Sequence, residues 1–166
     1  IETLIGALIA SDPQEARDMM VSLQKKGVSL DMLYARYLAP AATRLGEMWD
    51  ESLLGFSEVT LGAGRIYDLV RLLRDRLPEP RITRADPVLF ASVEGETHGV
   101  GVQMAAELFR QHGWDVRLLL NASQEQVLAE IDKIACLIIG LSSGGRATAA
   151  ALGRIIAAVR VAYPEL

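Results

Sequence analysis

The sequence predicts an α+α/β chain: an N-terminal four-helix bundle followed by a parallel sheet with flanking helices, truncated at the C-terminus. Three observations lead there. Over residues 1–77, apolar positions recur at helical spacing and short polar breaks separate the segments. Residues 78–87 carry Pro78, Pro80 and Pro87 among charges and read as a linker. From residue 88 to 166, short apolar runs alternate with helical patterns, the arrangement that builds a parallel sheet through right-handed crossovers.

The elements follow in order. Residues 1–10 read as a helix. Asp12-Pro13 starts the next, with the carboxylate as cap and proline at the first helical position; Lys25-Lys26 suit its carboxyl end and Gly27 stops it. Ser29 caps a third helix through Leu33, Leu38 and Leu45, kinked at Pro40. Ser57 is the expected cap of a fourth, with Val59, Ile66, Leu69, Val70, Leu72 and Leu73 on its apolar face and Arg65, Asp68, Arg71 and Asp75 opposite. Beyond the linker, residues 88–93, 114–120 and 136–141 read as strands. Their partner helices are expected over 102–111, 124–133 and 147–162. The first strand is a nearly unbroken apolar run, the mark of a strand covered on both faces. A flavodoxin/Rossmann-like sheet of this kind is expected to hold the first strand centrally with the third beside it. Two further strands are expected after Leu166, in a longer chain carrying other domains.

The composition narrows the function. With 51% hydrophobic and 23% charged residues the chain can bury a core. A net charge of −4 without a basic cluster argues against direct nucleic-acid binding. No apolar run reaches the ~20 residues of a membrane span, and no signal peptide is visible, so a cytoplasmic location is expected. The single cysteine, Cys136, lies in an apolar run and reads as a small core residue rather than a ligand. No Ser-His-Asp set, two-histidine metal site or P-loop occurs, and the expected role is not catalytic.

One histidine stands where chemistry is expected. His98 follows the first strand in a polar, glycine-containing loop, and ligands gather outside the carboxyl ends of strands in open α/β sheets. Glu96, two residues earlier, is placed to accept the proton of its other ring nitrogen, an arrangement that fixes the tautomer of a ligating imidazole. Gly101 removes a side chain where a large planar ring would approach the backbone. The alternative for His98 is a solvent-exposed loop histidine. Gly99-Val100-Gly101-Val102-Gln103-Met104 matches only two glycines of a dinucleotide fingerprint, and the second strand ends at Asn121 rather than a carboxylate. Ser142, Ser143, Gly144 and Gly145 precede a helix; their amides suit an anion, or form an ordinary capping loop. Trp49 divides between bundle core and cofactor lid. His112 reads as a helix-end residue, and Glu47, Asp50 and Glu51 as a charged surface turn.

Glu96-Thr97-His98-Gly99-Val100-Gly101 resembles the Asp-x-His-x-x-Gly motif of cobalamin-binding domains, with Glu in place of Asp. In that family the histidine ligates cobalt and the carboxylate hydrogen-bonds to it. Ser142 falls where the family has a Ser-x-Leu segment lining the pocket for the nucleotide tail, with Gly144 in place of the leucine. Leu45-Gly46-Glu47-Met48-Trp49 resembles the Gly-Glu-x-Trp segment that caps the ring. The resemblance covers essentially the whole chain.

The departures from that pattern matter. Val59 and Thr60 stand where light- and cobalamin-sensing relatives carry Glu-His, so the upper axial histidine is absent. A Gly-Gly segment of the family would lie past Leu166. This combination is similar to the variant described as a sensor containing heme instead of cobalamin, found in purple-bacterial antirepressors of photosynthesis genes. The resemblance therefore implies heme, with cobalamin as the alternative, and His98 as axial ligand of the metal. It also implies a redox- or light-responsive sensor whose partner is a transcriptional repressor of the PpsR type. A true cobalamin protein and a cofactor-free interaction module remain open.

Overall fold

The structure, a computed structural model, describes residues 1–166. The chain divides into two compact units, Ile1–Pro78 and Glu79–Leu166.

The first unit is helical. It comprises α1 (Glu2–Ile9), α2 (Gln14–Lys25), α3 (Leu30–Leu33), α4 (Ala39–Asp50) and α5 (Phe56–Asp75). A π-helical turn, Tyr34–Leu38, joins α3 to α4, so the two form one rod. Pro40 follows that turn directly. Proline cannot donate to the preceding turn and crowds its carbonyls, and the wider turn absorbs the defect the sequence placed here as a kink. The caps are local. Asp12 Oδ1 accepts from Gln14 N at 2.8 Å and Ser29 Oγ from Met32 N at 3.3 Å. The cap expected at Ser57 is displaced: α5 starts from Gly55, whose N–H donates to Glu58 Oε2 at 2.7 Å, and Ser57 lies inside the helix. A glutamate three positions after the cap residue reaches back to its amide, which makes Gly55 the better start.

The core of this unit is built from Leu4, Ile5 and Leu8 of α1, Met20 of α2, Leu33, Tyr34 and Leu45, and Ile66, Leu69 and Leu73 of α5. Arg65, expected on the solvated face, instead donates from Nη1 to the carbonyls of Leu8 at 2.9 Å and Ala10 at 2.5 Å. The last carbonyls of a short helix lack partners within it, and a guanidinium from α5 supplies them.

The second unit holds β1 (Pro87–Val93), α6 (Val100–Gln111), β2 (Asp115–Ala122), α7 (Gln124–Ile134), β3 (Ile138–Ser142) and α8 (Arg146–Ala162). The three strands are parallel in the order β2-β1-β3, with Val88 level with Val116 on one side and Ile138 on the other. The fold class predicted from sequence is therefore observed: a helical first part, then a parallel sheet with flanking helices. Side chains of β1 alternate between two cores. Leu89, Ala91 and Val93 join Val127, Ile131, Ile155 and Val159 of α7 and α8, whereas Val88 and Phe90 join Val102 and Ala106 of α6. Burial on both faces is why this strand reads as continuously apolar. Ser123 begins α7 with a reciprocal capping box, its Oγ accepting from Gln126 N and its N–H donating to Gln126 Oε1.

Part of the proline-bearing segment is fastened to this unit. Thr83 N and Arg84 N donate to Gly113 O at 2.9 and 3.0 Å, and the Arg84 guanidinium lies 4.6 Å from the Trp114 ring centre. Gly113 has φ +83°, and a Cβ there would overlap Thr83 Oγ1. Gly113→Ala is therefore expected to destabilise the second unit by about 1–3 kcal/mol, combining left-handed strain with loss of the strap. A urea midpoint followed by Trp114 fluorescence checks it; an unchanged midpoint would contradict it.

Candidate functional site

The site is assembled at the carboxyl ends of β1 and β3, neighbours in the sheet. After Val93 the chain turns: Glu96 N donates to Val93 O at 3.0 Å and Gly95 adopts φ +84°, which a glycine accepts freely. Gly95 N then donates to Asn121 Oδ1 at 2.7 Å, and Asn121 N to Ser92 Oγ at 2.8 Å. The end of β2 thereby fixes the loop that carries His98.

Glu96 is the centre of the arrangement. Its side chain is 2% exposed, while that of His98 is 81% exposed. Oε1 accepts from His98 N at 2.6 Å and stands 3.0 Å from His98 Nδ1. Oε2 accepts from Gly144 N and, at 3.2 Å, from Thr148 Oγ1, whose own hydroxyl lies 2.7 Å from Ser143 Oγ. Burial alone would raise this carboxyl. The amides of Gly144 and His98, with the His98 ring and the Thr148 hydroxyl, more than offset it and hold the group down at about 2. An ionised carboxylate can only accept, so in the neutral ring Nδ1 of His98 carries the proton and Nε2 keeps the lone pair.

Glu96 and His98 meet as the sequence suggested, and the loop of Ser142, Ser143 and Gly144 reaches Glu96 through the Gly144 amide. The anion held by that loop is the protein's own Glu96. A Cβ at Gly144 would come within 3.1–3.2 Å of both carboxylate oxygens, so the glycine here accompanies the longer acid at 96. Gly101 sits in the first turn of α6, where an added Cβ would meet nothing within 4 Å. Gly101, Val102 and Ala105 of α6, Phe90 of β1, and Gly140, Leu141 and Ser142 of β3 line a groove of about 190 Å³. Thr148, Asn121, Ser92 and Phe90 were not singled out from the sequence. Each acts on a partner far along the chain, and no local pattern announces it.

The remaining candidates separate. Trp49 is 45% exposed at the end of α4 in the first unit, with Phe56 edge-on at 6.3 Å, so it is not a core residue of the bundle. Glu47 and Glu51 pair with Arg44 at 3.2 and 3.3 Å on the surface. His112 ends α6. Cys136 is buried, and burial pushes its thiol up. No three His, Cys, Asp or Glu side chains converge as a metal site. No helix is long and apolar enough to cross a membrane.

For a metal tetrapyrrole the residues fit in one respect and not in another. An outward Nε2 on a ring fixed through Nδ1 suits an axial ligand, and the open face of Gly101 leaves room beside it. The groove between α6 and β3, about 190 Å³, is narrowed by the Phe90 ring against Gly140.

Residues 87–166 match the family model described as the B12 binding domain. The fold resembles the monomethylamine corrinoid protein of Methanosarcina barkeri with a TM-score of 0.82 at 12% identity, over 97% of this chain and 77% of that one. It also resembles a cobalamin-binding protein from Desulfitobacterium hafniense DCB-2, with a TM-score of 0.50 at 14% identity, over 99% and 78%. At these identities the likeness is one of fold. A curated relative, the "uncharacterized 20.5 kDa protein in bchF-crtJ intergenic region" of Rhodobacter capsulatus, is 28% identical over 94 residues, 55% of this chain. The chain spans about half the length of that relative, 49%. The family match supports the cobalamin-binding resemblance read from the sequence, and the heme variant is not shown by it. The second half of the chain, residues 87–166, is similar to the B12 binding domain.

Proposed function

We propose that this chain is a sensory domain that holds a metal tetrapyrrole through His98 Nε2 and passes its state on by protein–protein contact, without catalysis of its own. The observation that carries the reading is the buried, ionised Glu96 holding Nδ1 of a well-exposed imidazole. An exposed histidine without a task would not be matched by a carboxylate so fully desolvated and so fully hydrogen-bonded. The B12-binding match supports a corrinoid ring as the ligand class. Heme is the second reading, supported by the narrow groove, by Gly144, and by Val59 and Thr60 where an upper axial pair would stand.

A bound metal tetrapyrrole supplies a coloured, redox-active centre. The chain's own residues do the rest: Glu96 sets the tautomer and direction of His98, and the same carboxylate ties the His98 loop to the start of α8. Displacement of His98 would thus be felt at Gly144 and Thr148, and a ligand shifts such an equilibrium only by its differential affinity for the two arrangements. A transcriptional repressor of the PpsR type is the proposed partner, supported by the relative from the bchF-crtJ interval.

Titration of the 166-residue chain with hydroxocobalamin and with hemin tests the reading. Saturable visible-range changes are expected with at least one of them, and His98→Ala is expected to weaken binding by about a hundredfold or more. Binding that survives the substitution would remove His98 from the role. Unchanged spectra with both ligands would leave a cofactor-free interaction module.

A further inference from the structure

We infer that Phe90 is a specificity residue that closes the groove beside His98 to a nucleotide tail, so that the site takes a metal tetrapyrrole lacking one. The inference rests on the tetrapyrrole reading above. Phe90 and Gly140 are paired neighbours across β1 and β3. The absence of a side chain at 140 is filled by the Phe90 ring: a Cβ there would lie 2.5 Å from both Cδ1 and Cε1. The ring does not swing freely. Phe109 packs edge-on against it with centroids 5.0 Å apart, and Trp114 backs Phe109 at 5.8 Å. Such contacts in a close-packed core hold a side chain in one position.

Around this ring the wall is built of small residues. Gly101 and Ala105 come from α6 and Gly140 from β3, a lining that would leave a wide slot between helix and sheet if position 90 were small. With Phe90 in place the groove holds about 190 Å³. That is below the ~300 Å³ at which pockets for drug-sized ligands begin. A planar ring standing on His98 needs only the open ground beside Gly101. A benzimidazole ribonucleotide hanging beneath it would need the volume that Phe90 occupies. Rejection by a filled pocket is the usual way a site refuses a close analogue with one extra group.

The test compares two corrinoids that differ in the tail alone. Aquocobinamide, which lacks the nucleotide, and hydroxocobalamin are titrated into the 166-residue chain, with hemin as a third tail-free probe. Wild type is expected to bind aquocobinamide at least about tenfold more tightly than hydroxocobalamin, and Phe90→Ala to close that gap by about tenfold, chiefly by tightening the cobalamin. Phe90→Leu, which keeps the core filled, is expected to fall between and guards against a misfolded alanine variant; far-ultraviolet circular dichroism checks both. Equal affinity of wild type for the two corrinoids, or Phe90 variants that shift both alike, would overturn the inference and leave His98 ligation standing. Failure of wild type to bind any of the three would instead sink the tetrapyrrole reading, and this inference with it.

Discussion

Glu96→Ala is expected to destabilise the second unit by ~3 kcal/mol at neutral pH, and wild type itself to lose a similar amount on acidification. The size comes from the carboxyl being held at about 2 against an ordinary 4.5. At about 1.4 kcal/mol per pH unit, that difference is worth ~3 kcal/mol, and a side chain 2% exposed gives solvent little chance to screen it. The sign follows from the direction. A carboxyl whose value is lower in the folded state stabilises above its unfolded value, so the contribution is complete above about pH 4.5 and fades as pH falls toward 2. The alanine variant removes the acceptor of the Gly144 and His98 N–H groups, donors that cost about 1–3 kcal/mol each when left unpaired and dry. Urea unfolding read through Trp114, with Trp49→Phe to silence the other of the two tryptophans, measures this in the second unit. A wild-type midpoint that is flat from pH 5 to 2, or a variant that falls by less than ~1 kcal/mol, would show that Glu96 does not hold the two loops together.

Leu89→Ala is expected to cost about 2–5 kcal/mol, the largest effect in the sheet. Leu89 is fully buried in the central strand, within the cluster of Val127, Ile131, Ile155 and Val159. Truncation removes its apolar area from the core and leaves a cavity that a close-packed sheet between two helical layers cannot collapse to fill. The contrast is Leu137→Ala. Leu137 is equally apolar and precedes β3, but it is 65% exposed, and its loss is expected to change stability by no more than ~0.5 kcal/mol. The same urea measurement covers both. Comparable losses at the two positions would mean that the burial pattern of the sheet is wrong.

Much of the site was legible because its members are close in the chain. Glu96 and His98 are two residues apart, and a carboxylate so near an imidazole at the end of a buried strand announces itself. The caps at Ser29 and Ser123 were equally local. The misplaced cap at Ser57 shows the limit of residue-type reasoning: serine favours caps, but Glu58 can return to only one amide, that of Gly55. Arg65 was misread for a related reason. Its helical position lies beside the apolar face, and the nearby carbonyls of Ala7, Leu8 and Ala10 belong to the end of α1 and the residue after it, more than fifty residues earlier.

The amino-acid sequence alone determined the alternation of strands and helices, the double burial of β1, the imidazole and its acid. These depend on periodicity and on partners within a few residues, where chain connectivity already enforces proximity. Only the tertiary structure decided what the acid does with its second oxygen and what fills the groove. Gly144 and Thr148 meet Glu96 from 48 and 52 residues away, and Phe90 lies over Gly140 across a strand pair. Such contacts arise when strand order and register bring distant residues level, and neither is written in any short stretch of the chain.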